Sequence, residues 1–321
     1  MDDRPRGQGM PAGYPLTPLS KYAREMSDKK KILIQLDSDA HPSVFDRVVA
    51  VDAGAEEIFS YGNVQLDQVR DLVYGAIFTR GPSDLHRSAV FIGGSDLEVG
   101  EKMLDRVTKS FLGALSVSVL LDSSGANTTA SAAVRVAASH VDLAGAQVLV
   151  LGATGLVGRR VVRLLAHEGA RVRVGSRSLD RSTEVVQTLR ELGTEKSLAA
   201  LEEAELTPVA TGDDAGLKEA LDGVSVVICA GAIGVTLLPE PAWRACSDLR
   251  VIVDLNAVPP LGAEGVEVTA KAVDEDGVLC YGAVGVGGTK MKIHKAAVRA
   301  LFEKNDQVLD AEAVYELGRD V

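Results

Sequence analysis

An α/β protein built on doubly wound parallel sheet is predicted by three observations. Short, continuously apolar runs alternate with helical patterns along most of the chain, the alternation that βαβ units produce. One such run, Gln147-Val-Leu-Val-Leu-Gly-Ala-Thr-Gly-Leu-Val-Gly158, passes directly into a glycine-spaced turn and a helix start. The composition, 46% hydrophobic with 32 glycines and only 4% aromatics, suits Val, Ile and Leu strands packed on small-residue helices. A length of 321 residues is ample for two domains sharing a cleft.

Taken in order, residues 1–28 are rich in Pro, Gly and charge, lack the apolar core of a signal peptide, and read as a flexible N-terminal extension. Strands are expected at 31–36, 75–79, 89–93 and 116–121, with helices at 64–74 and 97–111. Asp122-Ser-Ser-Gly-Ala126 breaks the pattern as a hinge does, and Asn127-Thr-Thr129 starts a helix over 127–140. Beyond it, strands at 147–152, 171–175, 225–230, 250–255 and 278–284 alternate with helices at 155–168, 180–192, 214–221 and 291–304. Asp310 is placed to cap a last short helix that packs back onto the first half. The domains expected are therefore 29–126, joined by 301–321, and 127–300.

The spacing Gly152-x-x-Gly155-x-x-Gly158 is a variant of the dinucleotide fingerprint. Only glycine lets the backbone turn so sharply and still leave room for a pyrophosphate, which then meets the free N–H groups of the helix starting near Leu156. Candidate cofactor contacts are Gly152, Thr154, Gly155, Leu156, Val157 and Gly158. Arg171-Val-Arg-Val174 supplies the second strand at the distance a Rossmann-type unit requires. An NAD site normally carries an Asp or Glu at the end of that strand, but here Gly175-Ser-Arg-Ser178 follows it. Arg177 can fork onto a 2′-phosphate with Ser176 as a further donor, which favours NADP over NAD while leaving dual use open. The alternative is a solvated loop arginine. Cys229-Ala-Gly-Ala-Ile-Gly234 and Val251-Ile-Val-Asp-Leu-Asn256 end two later strands, and make Ala230, Ile233 and Asn256 candidates for the nicotinamide side.

In open α/β sheets ligands bind beyond the carboxyl ends of strands, and Lys31-Ile-Leu-Ile-Gln-Leu-Asp-Ser-Asp39 ends a strand with two carboxylates. Asp37 and Asp39 either hydrogen-bond the polar edge of a heterocycle or, with Ser43, serve as helix caps; both readings stand on spacing alone. Thr79-Arg-Gly81 and Gly93-Gly-Ser-Asp96 also end expected strands and so would face the same cleft. Tyr281-Gly-Ala-Val-Gly-Val-Gly-Gly-Thr-Lys290 resembles a phosphate loop, yet Lys290 is followed by Met291 where Ser or Thr would have to stand, so a P-loop is rejected. Lys290 at a helix start is either a ligand contact or a solvated residue.

A net charge of −11 argues against nucleic acid or an anionic membrane as main partner. No apolar run approaches membrane-spanning length. Cys229, Cys246 and Cys280 form no CxxC pattern, which fits buried thiols in a reducing cytoplasm, and the five histidines are too scattered to suggest a metal site.

Several segments together carry a family resemblance. Lys31 to Asp46, Tyr61-Gly-Asn-Val64, Thr79-Arg-Gly81, Leu121-Asp-Ser-Ser-Gly-Ala-Asn-Thr-Thr129, Gly231-Ala-Ile-Gly234, Ala257-Val-Pro-Pro-Leu-Gly262 and Gly285-Val-Gly-Gly-Thr-Lys-Met-Lys292 occur in order. They resemble the NADP-dependent methylene-tetrahydromethanopterin dehydrogenases of bacterial one-carbon metabolism, over nearly the whole chain from Lys30. The resemblance implies hydride transfer from the methylene carbon of a reduced pterin carrier to NADP, in a homo-oligomer. It implies a smaller α/β pterin-binding domain beside the Rossmann-type domain, with the cleft between them. It makes Lys290 the leading active-site candidate, and Asp37, Asp39, Ser43, Thr79, Gly81, Asn127 and Thr128 candidate pterin contacts. Three alternatives are a methylene-tetrahydrofolate dehydrogenase, a shikimate-dehydrogenase-like enzyme and an NADP-binding sensor without catalysis. The shikimate-type reading needs a proton-transfer Lys–Asp pair in the first half, and none is evident.

Overall fold

The computed structural model describes residues 29–196 and 198–321; the extension expected over 1–28 lies outside the described residues. Strands β1 (Ile32–Leu36), β3 (Ser88–Ile92) and β4 (Ser118–Leu121) bury nearly every side chain, as strands covered by helices on both faces must. With β2 (Glu57–Tyr61) and the short β12 (Val308–Leu309) they form a five-stranded parallel sheet in the order β12-β4-β3-β1-β2. The second sheet takes β5 (Gln147–Leu151), β6 (Arg171–Ser176), β7 (Leu206–Ala210), β8 (Val226–Cys229), β9 (Val251–Asp254), β10 (Val273–Glu275) and β11 (Val278–Tyr281). Its seven strands run in the order β10-β11-β9-β8-β5-β6-β7, with only β10 antiparallel. This is the Rossmann arrangement with one added edge strand.

The strand order reverses between β1 and β3 in the first sheet, and between β5 and β8 in the second. At such a point the loops leave to opposite sides and open a crevice at the carboxyl ends of the strands. The two sheets share one core. The helix Ala126–Ala138 packs against the helices Leu156–His167 and Ala283–Ala300, and Ala130, Ser131, Ala133 and Ala137 on it are fully buried. Such small side chains let helices approach closely. Through them a continuous apolar cluster runs from Leu33, Phe91 and Leu120 to Val148, Val150 and Val226. Asp310 caps the helix Ala311–Leu317 by accepting from the Ala313 amide at 3.2 Å. That helix packs not on the first half, as expected, but on the helices Ala126–Ala138, Leu156–His167 and Ala283–Ala300, while β12 before it joins the first sheet; its Glu312 grips the buried Arg163 with both carboxylate oxygens.

Several elements depart from expectation. Residues 75–79 are not a strand but the end of the helix Val69–Phe78, whose buried face is Val69, Val73, Ala76 and Ile77. A short apolar run does not by itself distinguish a strand from a helix end. β2 and β7 were not expected: both are sheet elements with only partial burial, β7 lies at an edge, and it contains Pro208. Proline lacks the donor for a second ladder and is therefore confined to such an edge. The last glycine-rich segment is not a loop, because the helix Ala283–Ala300 begins before Gly285 and carries Lys290 within it. A Cβ on Gly285 would lie 1.8 Å from the Ala270 carbonyl oxygen, so that glycine is required by close packing of helix on backbone. Among the described residues no helix is long and apolar enough to cross a membrane.

Candidate active site

The nucleotide side is built where β5 and β8 part. Gly152 follows β5 with φ +76, and a Cβ there would lie 2.4 Å from the Gly231 Cα at the head of the β8 loop. Gly158 is equally constrained, since a Cβ would meet the Gly152 carbonyl oxygen at 2.5 Å. Gly155 differs: a Cβ would find only ordinary contacts at 3.5 Å, so the protein itself does not demand glycine. Gly155 is exposed and stands as N-cap of Leu156–His167 with no side-chain cap and no acidic residue in the first turn. Bare N–H groups at the positive end of a helix are a site for an anion such as a pyrophosphate. Thr154, Leu156 and Val157 flank that opening, and Leu156 is exposed. Ser176 ends β6 buried, while Arg177 is exposed with no ion pair among the described residues. Ala230 follows β8, and Ile233 stands 73% exposed in the same loop, an apolar side chain with nothing to cover. These residues fit a dinucleotide. Asn256 is otherwise engaged: its Nδ2 donates to the Pro260 carbonyl at 3.1 Å and its Oδ1 accepts from the Val258 amide at 3.1 Å. Its side chain braces its own loop rather than offering itself to a cofactor.

The second crevice lies at the β1/β3 split of the first sheet. A cavity of about 280 Å3 is lined there by Asp37, Asp39, Ser43, Phe45, Asp46, Gly94, Ser95, Ser124, Gly125 and Lys290. Asp37, which is 1% exposed, accepts from the amides of Asp39 at 2.8 Å and Ser43 at 3.3 Å. Burial raises its pKa and those amide bonds oppose the shift. Asp39 accepts from the Ser95 amide at 3.0 Å and hydroxyl at 2.9 Å, closing the β1 loop onto the β3 loop. Ser43 caps the helix Val44–Asp52 through the Asp46 amide at 3.2 Å. The cap is therefore Ser43, and both aspartates hold loops while still facing the cavity.

Lys290 reaches the same cavity from a helix that leaves the other sheet after β11. Its Nζ lies 4.7 Å from the Phe45 ring centroid, a cation–π contact. It also comes within 2.7 Å of where a Cβ on Gly125, at φ +62, would stand. Gly287, one turn earlier on the Lys290 face, has open space at its Cβ position, so the helix is bare there. One turn later His294 is fully buried, stacked on Phe91 at 5.9 Å, and both its ring nitrogens lack partners among the described residues. Burial lowers its pKa, with Lys290 adding to that effect and Asp122 opposing it, so it stays neutral near pH 7. Asp46 shows the largest shift of the cavity carboxyls. Burial, followed by the charges of Asp122 and Asp37, raises it to about 6, against the Ser43 hydrogen bond and Lys290.

Four expected pterin contacts are placed elsewhere. Asn127 and Thr128 are fully buried; Asn127 Nδ2 donates to the Leu121 carbonyl at 2.6 Å and Thr128 Oγ1 to Asp122 at 2.7 Å. They shape the turn that presents Ser124 and Gly125. Thr79 and Gly81 follow a helix, not a strand, and Arg80 between them donates to the Lys30 carbonyl at 2.8 Å, before β1 begins. That is the opposite end of the sheet from Asp37, so they do not face this cavity. Reasoning from sequence also missed Phe45 and Asp46, although a Ser43 cap puts position 46 in the helix turn nearest the strand ends. Among the described residues no group of His, Cys, Asp and Glu converges as a metal site would require.

Comparison with known proteins gives consistent results. Residues 44–124 match the family described as methylene-tetrahydromethanopterin dehydrogenase, N-terminal, and residues 145–237 match the NmrA-like family. The bifunctional protein MdtA of Methylorubrum extorquens is 42% identical over 294 residues, covering 91% of this chain and 99% of that protein. The NAD(P)-dependent methylenetetrahydromethanopterin dehydrogenase of the same organism is 30% identical over 305 residues, covering 91% of this chain and 99% of that one. Among solved structures, ornithine carbamoyltransferase from Gloeobacter violaceus overlaps 88% of this chain and 91% of its own with a TM-score of 0.49 at 12% identity, too distant to bear on function.

Proposed function

The chain belongs to the methylene-tetrahydromethanopterin dehydrogenase family, and from that premise we propose how its residues divide the work of the reaction. The enzyme oxidises methylene-tetrahydromethanopterin to the methenyl form, with NADP as acceptor and NAD as a weaker alternative. One C–H bond of the methylene carbon breaks and its electron pair departs with the hydrogen. The carrier is left as a cation shared by the two flanking nitrogens, and no proton passes to solvent. NADP, when bound, supplies the two-electron acceptor and ends as NADPH. No general base is needed, so the protein contributes chiefly position, field and exclusion of water.

On this reading the bare amides behind Gly155 hold the pyrophosphate, and Arg177 with Ser176 reads the 2′-phosphate. Ala230 and the uncovered Ile233 lie against the nicotinamide. Asp37, Asp39 and Ser43 face the polar edge of the pterin, and Lys290 orients one of its oxygens. Residues 29–126 with 301–321 then form the carrier-binding part and 127–300 the nucleotide-binding part. The setting is a homo-oligomer in a reducing cytoplasm, a reading supported by the buried thiols of Cys229 and Cys280. The observation that carries the proposal is that Lys290, on a helix issuing from the nucleotide sheet, lines the crevice of the other sheet. One element thereby ties cofactor and substrate sites together.

Steady-state turnover of methylene-tetrahydromethanopterin and methylene-tetrahydrofolate, each with NADP and NAD, tests the reading. NADPH should form fastest with the methanopterin carrier. Faster turnover of the folate would move the assignment to that carrier. Tight NADP binding without NADPH from either would make the protein a sensor.

A further inference from the structure

Oxidising the carrier adds one positive charge to a ligand held in a small cavity, so the field of the cavity bears directly on the reaction. Its ionisable lining is the carboxyls of Asp37, Asp39 and Asp46 and the ammonium of Lys290. Asp37 is spanned by the amides of Asp39 and Ser43, and Asp39 by Ser95. Asp122, behind the cavity, is held by the amide and hydroxyl of Thr128. Asp46 alone has no backbone amide on its carboxyl; its one hydrogen-bonding partner among the described residues is the side chain of Ser43. It therefore keeps acceptor capacity free toward the cavity. Lys290, the sole lining cation among the described residues, sits over the ring of Phe45, the residue adjacent to Asp46, which gives its ammonium an aromatic face.

We propose that the Asp46 carboxylate is the electrostatic partner of the one-carbon centre, selecting the methenyl cation over the neutral methylene carrier. The inference rests on the reaction proposed above. The charged groups that act on Asp46 are Asp37 from the end of β1, Asp122 from the end of β4 and Lys290 from the helix Ala283–Ala300, on which the neutral His294 lies 6.2 Å from the ring of the adjacent Phe45. Two like charges and burial make ionised Asp46 uncomfortable, and a cation arriving in the cavity relieves that discomfort. Binding of the cation and ionisation of Asp46 are then linked: each promotes the other by the same factor. The neutral carrier has no such coupling. The hydride donor is thus drawn toward its oxidised form by a carboxylate that is fully charged only above about pH 6.

The test measures equilibrium affinity of the full-length protein for the methylene and methenyl forms of the carrier, from pH 5 to 8, for wild type and Asp46→Asn. At pH 7.5 the substitution should weaken the cation about tenfold or more while changing the neutral form less than about twofold. In wild type the affinity for the cation alone should fall as pH drops through about 6, and this dependence should vanish in Asp46→Asn. Equal losses for both forms, or an unchanged pH profile in the variant, overturn the proposal. Should Asp46→Asn fail to fold, the wild-type comparison decides: a cation affinity no more pH-dependent than that of the neutral form overturns it. A wild type that turns over the carrier but shows no such selectivity sinks this inference alone. One that binds neither form sinks the proposed function with it.

Discussion

Replacing Asp46 by Asn should make the folded protein more stable at pH 8 and bring little gain at about pH 3.5. Burial, and then the charges of Asp122 and Asp37, raise this carboxyl from its ordinary 3.8 to about 6. A carboxyl whose folded pKa lies above its unfolded value holds its proton more tightly when folded. Its ionisation therefore removes stability as pH rises from 3.8 through about 6, and the loss is complete above that. At ~1.4 kcal/mol per pH unit the ceiling is ~3 kcal/mol, reduced to ~1–2 kcal/mol for a half-buried group that solvent still reaches. Against this, asparagine forgoes the favourable interaction of a carboxylate with the first helix turn, about 0.3–1 kcal/mol. A net gain of about 0.5–1.5 kcal/mol at pH 8 remains, and it should shrink toward zero at about pH 3.5, where wild-type Asp46 is mostly protonated in the folded and the unfolded state alike. Urea unfolding of both proteins at the two pH values measures it. A variant that is less stable at pH 8, or whose advantage is the same at both, would show that the buried Asp46 carboxylate does not cost the fold stability. Combined with the carrier-affinity result above, the outcome would mark Asp46 as a residue retained for binding at the expense of stability.

Two further substitutions probe the rest of the site. Arg177→Ala should weaken NADP at least about tenfold more than NAD, because only NADP presents the 2′-phosphate for a guanidinium to fork onto; equal losses by titration calorimetry would show that Arg177 does not read it. Gly287→Ala should raise thermal stability by about 0.5–1 kcal/mol, since it relieves a helix-interior glycine into open space. The same methyl should lower kcat/KM if ligand lies on that bare helix face beside Lys290. A more stable variant with unaltered kinetics would remove Gly287 from the site.

The second sheet was the more legible, because its central strands are buried on both faces and read as unbroken apolar runs such as Val148 to Leu151 and Val251 to Val253. Edge elements were not legible. β2 shows side chains to solvent and begins with Glu57, and β7 carries Pro208, so neither gives that signal. The glycines of the helix Ala283–Ala300 argued locally for a loop, since glycine is a poor helix former. Tertiary packing decides otherwise, because Gly285 rests on the backbone of Ala270. In the site, strand-end reasoning correctly brought Asp37 and Asp39 to the cavity. The same reasoning misplaced Thr79 and Gly81, because taking a helix end for a strand end exchanges one edge of the sheet for the other. Asp46 and Phe45 escaped notice because their importance comes from the fold: the Ser43 cap swings the first helix turn over the β1 end, where Lys290 arrives from a distant part of the chain.

On the proposed mechanism hydrogen passes directly from the one-carbon unit to the nucleotide. Supplying the carrier with both methylene hydrogens replaced by deuterium, and examining the reduced nucleotide by mass spectrometry, tests it most directly. Direct transfer yields NADPH carrying one deuterium on the nicotinamide ring for each methenyl carrier formed. NADPH without deuterium, or methenyl carrier formed without NADPH, would contradict it.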